Sequence, residues 1–92
     1  MEARTEEKCL VLARFYGITI RMYFQQSEHN PPHIHALYAE YVAAVRIKDG
    51  TVLEGNLPNK ALSMVQEWIL LNRNELLEMW ETQEFQVLPP LK

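Results

Sequence analysis

The sequence predicts an α+β domain: a mostly antiparallel meander of four or five strands, with one face covered by a long C-terminal helix kinked near residues 72 to 74. Three observations carry this. The first half of the chain consists of short β-branched and aromatic runs broken at Tyr16-Gly17, Ala39-Glu40 and Lys48-Asp49-Gly50-Thr51, the punctuation of successive hairpins. The second half, from Ala61 to Trp80, repeats apolar residues at helical spacing. Ninety-two residues support a single core, because a chain this short buries only about 60 to 65% of its unfolded surface.

Residues 1–8 are polar and charged and are expected to be a disordered segment, with one α+β domain over residues 9–92. The first two strand candidates are Leu10-Val11-Leu12-Ala13-Arg14-Phe15 and Ile18-Thr19-Ile20-Arg21-Met22-Tyr23-Phe24. The second alternates strictly, which sends Ile18, Ile20, Met22 and Phe24 to the core and Thr19, Arg21 and Tyr23 outward. Tyr16-Gly17 has the length of a two-residue hairpin loop, although Tyr fits poorly where a positive φ is required.

Gln25 to Pro32 breaks the pattern, since Pro31-Pro32 cannot donate to a sheet ladder. Two more strands follow, His33 to Tyr38 and Tyr41 to Ile47, around Ala39-Glu40. A two-residue hairpin there pairs Leu37 with Val42, His35 with Ala44 and His33 with Arg46. His33, His35, Leu37, Val42, Ala44 and Arg46 then share one face. Ile34, Ala36, Tyr38, Tyr41, Ala43, Val45 and Ile47 share the more apolar one, the predicted core side.

After the turn at Lys48 to Thr51, a short strand Val52-Leu53-Glu54 leads to a second break at Gly55-Asn56-Leu57-Pro58. From Ala61 onward, Leu62, Val65, Trp68, Ile69, Asn72, Leu76, Met79 and Trp80 fall on a stripe about 120° wide at 100° per residue. Asn72 is its single polar member and opens Asn72-Arg73-Asn74-Glu75, which resembles an N-cap with an acid three residues on; hence the predicted kink. Met64, Leu70, Leu71 and Leu77 fall outside the stripe. Either a partner covers them or the tail Phe85 to Leu91 folds back over the helix.

A composition of 48% hydrophobic and 23% charged residues excludes a disordered chain. No apolar run is long enough to span a membrane and the N-terminus lacks the apolar core of a signal peptide, so no membrane association and a cytoplasmic location are expected. The lone Cys9 cannot form an internal disulfide, in keeping with a reducing compartment. A net charge of −3 and a pI near 5.6 argue against a general nucleic-acid footprint. They leave room for a local one, because Arg14, Arg21, Arg46 and Lys48 fall in the sheet region while Glu67, Glu75, Glu78, Glu81 and Glu84 crowd the helix.

The chemistry-bearing stretch is Glu28-His29-Asn30-Pro31-Pro32-His33-Ile34-His35, which holds all 3 histidines. His33 and His35 project from one strand face with Cα atoms about 6.5 Å apart, a spacing suited to two ligands of one divalent ion such as zinc, with His29 or Glu28 as a third. The same pair also suits metal-free proton transfer at a ribose 2′-hydroxyl, with Arg46 opposite His33 to hold a phosphate. A third reading has the histidines hydrogen-bond the loop backbone and do no chemistry. Trp68 and Trp80 read as core anchors, and Tyr23 and Tyr38 as packing residues that also have the faces to stack on bases.

The short N-terminal hairpin, the run Glu28 to His35 with its double proline, Val52-Leu53-Glu54-Gly55, Leu57-Pro58, Glu67-Trp68-Ile69 and Glu75 to Trp80 together resemble the bacterial domain-of-unknown-function 4160 family (DUF4160), over about Cys9 to Glu81. The resemblance departs at Ala39, where the family usually has Gly, and at Tyr16, where Asp or Asn suits the turn. It implies a small bacterial protein encoded beside another small protein, in a pair of the toxin-antitoxin kind. It also implies a partner protein more strongly than an enzyme, and the over-apolar C-terminal helix is the expected surface for a small partner protein or a second copy of the chain. Catalysis on RNA through His33, His35 and Arg46, a non-catalytic protein-binding adaptor, and a metalloprotein ligated by His29, His33 and His35 therefore stand as separate expectations.

Overall fold

The computed structural model describes residues 8–24 and 30–92. Strands β1 (Cys9–Phe15), β2 (Ile18–Tyr23), β3 (His33–Tyr38), β4 (Tyr41–Arg46) and β5 (Val52–Gly55) are followed by helices α1 (Asn59–Leu71) and α2 (Arg73–Thr82). The strands form one antiparallel sheet in the order β1-β2-β3-β4-β5. Sequence neighbours are thus spatial neighbours throughout.

The turns explain the register. Tyr16 and Gly17 both have positive φ, 52° and 80°, the two left-handed positions of a type I′ loop. Ala39 also lies at φ 52°, where Gly would sit without strain. The second hairpin pairs His33 with Arg46, His35 with Ala44 and Leu37 with Val42, the register expected from a two-residue loop. Ile34, Ala36, Ala43, Val45 and Ile47 are buried on the opposite face.

A bulge in β1 shifts the register between Val11 and Ala13, so Leu12 is the extra residue and both Leu12 and Ala13 turn inward. The bulged carbonyl is released from the ladder. It accepts the Leu88 N–H at 2.8 Å instead, and this docks the C-terminal tail on the sheet.

The core face is covered by Ala61, Val65, Trp68 and Ile69 of α1 and by Leu76, Met79 and Trp80 of α2. The predicted single helix is two, broken at Asn72, whose φ of −118° is not helical. The capping expectation needs correcting, since the Asn72 side chain makes no N-cap bond. Its amide donates back to the Trp68 carbonyl at 2.9 Å, closing α1 rather than opening α2. The tail does fold back: Leu88 is buried, Phe85 and Leu91 pack on the core, and the Trp68 indole N–H donates to the Pro89 carbonyl at 2.7 Å. It leaves Leu70, Leu71 and Leu77 uncovered, at 60%, 67% and 36% exposure.

Gly55 has φ 78°, and a Cβ there would run into the Val42 carbonyl oxygen, with the Ala43 Cα only 3.1 Å away. The chain needs this close crossing to leave β5 for α1. Gly55→Ala is therefore expected to destabilise the fold by roughly 2 to 4 kcal/mol, adding backbone strain to a clash with main chain that cannot give way. A thermal melt would show this as a midpoint lower by about 10 °C or more.

Candidate functional site

The sheet face opposite the buried core carries the site, and the C-terminal end of α2 reaches its rim at His33. β3 begins directly after Pro31-Pro32 and alternates side chains, so His33 and His35 emerge together on that face while Ile34 is buried. Their rings meet edge to face with centroids 5.2 Å apart. Both residues are half-buried, which limits their freedom without closing them to a ligand.

His33 has a defined tautomer. Its Nδ1 lies 2.8 Å from the Pro31 carbonyl oxygen, and a carbonyl can only accept, so Nδ1 carries the hydrogen. The neutral ring then presents its lone pair at Nε2. A backbone-oriented imidazole of this kind is suited to act as a base or as a ligand. The expectation that the loop backbone would engage His33 is met, and the contact orients the ring without consuming its basic nitrogen.

The sheet supplies neighbours from both sides. Arg21 of β2 pairs in register with His35, and its Nε is buried with no hydrogen-bond partner among the described residues. The Tyr23 ring meets that of His35 edge-on at 4.7 Å. Arg14 pairs with Thr19 and so shares the face of Arg21. Arg46 lies opposite His33 as expected, but its guanidinium forks onto Asp49, with Nε donating at 3.0 Å and Nη2 at 2.8 Å. That pairing removes much of its capacity to hold a phosphate, and Arg21 is the cation better placed beside the histidines.

The Arg46 fork, followed by Thr51, holds the Asp49 carboxyl well below the usual carboxylate range. A depressed native value means that the pair stabilises the fold above the ordinary carboxylate pKa of about 3.9 and is lost as pH falls through the native value. Asp49→Asn is expected to be less stable than wild type at neutral pH. That difference should begin to shrink below about pH 4, as read by urea denaturation across pH; a gap that widened in acid would contradict the pairing.

Trp80 is a core anchor as expected, and it does more. Its ring lies 5.1 Å from that of His33, so the end of α2 meets the start of β3 and backs the first histidine. Arg21, Tyr23 and Trp80 are the site neighbours that the histidine motif alone does not disclose. The outward alternation of β2 signalled the first two; for Trp80 the sequence carries no signal.

Glu28 and His29 lie outside the described residues, and with them the third member of the predicted ligand set. Among the described residues no group of three His, Cys, Asp or Glu side chains is gathered to hold a metal. His33 and His35 are the described members of that predicted set.

Fold and site together define a small α+β domain with a paired-histidine face on a five-stranded meander. The chain belongs to the family described as "Domain of unknown function (DUF4160)", whose model matches residues 17–81. That match spans β2 through nearly all of α2. No curated protein and no solved structure gives a significant match. None of the helices is long and apolar enough to cross a membrane among the described residues.

Proposed function

We propose that this protein is one component of a bacterial two-protein, toxin-antitoxin-like module, and that its histidine face acts on RNA. The observation that carries the reading is the His33 ring, locked through Nδ1 to the Pro31 carbonyl and set 5.2 Å from His35 beside Arg21. One histidine removes the ribose 2′-hydroxyl proton, and the oxygen attacks the adjacent phosphorus. The P–O5′ bond breaks and the second histidine protonates the departing oxygen. The products are a 2′,3′-cyclic phosphate and a 5′-hydroxyl end. Charge placement supports an RNA backbone here: Arg14 and Arg21 share the histidine face with the Glu54 carboxylate, while Glu67, Glu75, Glu78 and Glu81 are carried by the helices.

Induced expression in a bacterial host tests this. Growth arrest with wild type and normal growth with an equally abundant, folded His33→Ala, His35→Ala protein is the expected result. Normal growth with both would overturn it.

A second reading rests on a separate observation, the outer helix surface. Leu70 and Leu71 remain 60% and 67% exposed after the tail has docked, an apolar patch that fits a small partner protein or a second copy of the chain. Co-expression with the neighbouring gene product, followed by size-exclusion chromatography with light scattering, should show an assembly that Leu70→Asp or Leu77→Asp disrupts. The histidine variants should leave that assembly intact. An assembly indifferent to both leucine substitutions would rule out this surface.

A further inference from the structure

Beside the histidines lies a cleft of about 210 Å³, lined by Asn30, Pro31, His33, Ala44, Leu53 and Glu54. Two elements close to the site build it: the proline segment before β3 and the edge strand β5. Glu54 pairs with Ala44, and Ala44 pairs with His35, so all three project from the histidine face. The cleft falls short of the roughly 300 Å³ of a drug-sized pocket and has room for one flat ring system.

We propose that this cleft is the base subsite of the histidine site and that Glu54 makes it select guanine. The inference rests on the RNA reading above and specifies its substrate. Pro31, Ala44 and Leu53 supply apolar surface for the faces of a base. The Glu54 carboxylate, an acceptor at both oxygens, is the polar group that reads its edge. Among the four standard RNA bases, guanine alone presents two adjacent donors, N1–H and the N2 amino group, which a carboxylate accepts together. Adenine and cytosine each set an acceptor beside their single amino donor, and uracil flanks its N3–H with two carbonyls. Each of those three leaves a carboxylate oxygen facing a lone pair. The Asn30 side-chain amide completes the match as a donor for guanine O6. His33 lines the cleft itself, so a base seated there brings its 3′-phosphate to the paired imidazoles.

Calorimetric titration of the full-length protein with the four nucleoside 3′-monophosphates tests the subsite directly. Guanosine 3′-monophosphate should bind about tenfold or more tightly than the other three, the discrimination of one good bidentate contact. Glu54→Gln, which keeps the shape but replaces one acceptor with a donor, should bring the four within about threefold of one another. Equal binding of all four by wild type, no binding at all, or an unchanged preference in Glu54→Gln would each overturn the proposal. Mapping the ends produced on a mixed-sequence RNA separates it from the reading beneath it. Selective guanosine binding without cleavage would sink the nuclease and keep the subsite. Cleavage with no preference for guanine would keep the nuclease and sink the subsite.

Discussion

RNA cleavage by the His33→Ala, His35→Ala protein is expected to fall by about 10³-fold or more, since each proton-transferring group contributes roughly 10² to 10⁴. The two act in one step, on opposite ends of the same phosphorus displacement. Either single substitution should therefore cost nearly as much as both, and the losses should not add. The activity should also trace a bell against pH, because one imidazole must be neutral and the other protonated at the same moment. Both side chains are half-buried on the outer sheet face, so melting curves should show an intact fold. A double variant that cleaves as well as wild type would remove the histidines from the chemistry.

Trp68→Ala is expected to produce the largest loss of stability of any single substitution in the chain, about 3 to 5 kcal/mol for a fully buried indole. The side chain is 0% exposed and packs beside Phe15 with ring centroids 6.0 Å apart. Its N–H also holds the tail through Pro89. Removing it opens a cavity between helix and sheet and undocks the segment that seats Leu88 on the β1 bulge. A domain of this size has a total margin of about 5 to 14 kcal/mol, so the midpoint of a thermal melt should fall by well over 10 °C. Trp68→Phe separates the two causes. It keeps most of the apolar volume while losing the hydrogen bond, and should give a smaller drop, with the tail more open to proteolysis.

Two of the expected partner surfaces differ in how the structure treats them. The tail covers Trp68 as the apolar run Phe85 to Leu91 suggested, because Leu88 finds a free carbonyl at the bulge. Leu70 and Leu71 stay exposed because they lie outside the stripe that faces the sheet, and the docked tail borders Leu71 across a shallow cleft without covering it.

The residues themselves determined the meander, its central register and the face on which the histidines stand. A strand has a period of two, and a two-residue loop allows one antiparallel pairing, so His33 opposite Arg46 and His35 opposite Ala44 follow from counting. The helix break at Asn72 was legible for the same kind of reason, although the direction of its side-chain bond was not. Tertiary structure decided which distant groups join the histidines: Arg21 and Tyr23 across the sheet, Trp80 from the end of α2, and Glu54 across the cleft. It also drew Arg46 away to Asp49, a partner three residues on across a turn, whose pull no strand pattern weighs against a distant phosphate. Periodicity specifies the side of an element a residue occupies; the packing of elements far apart in the chain specifies what meets it there.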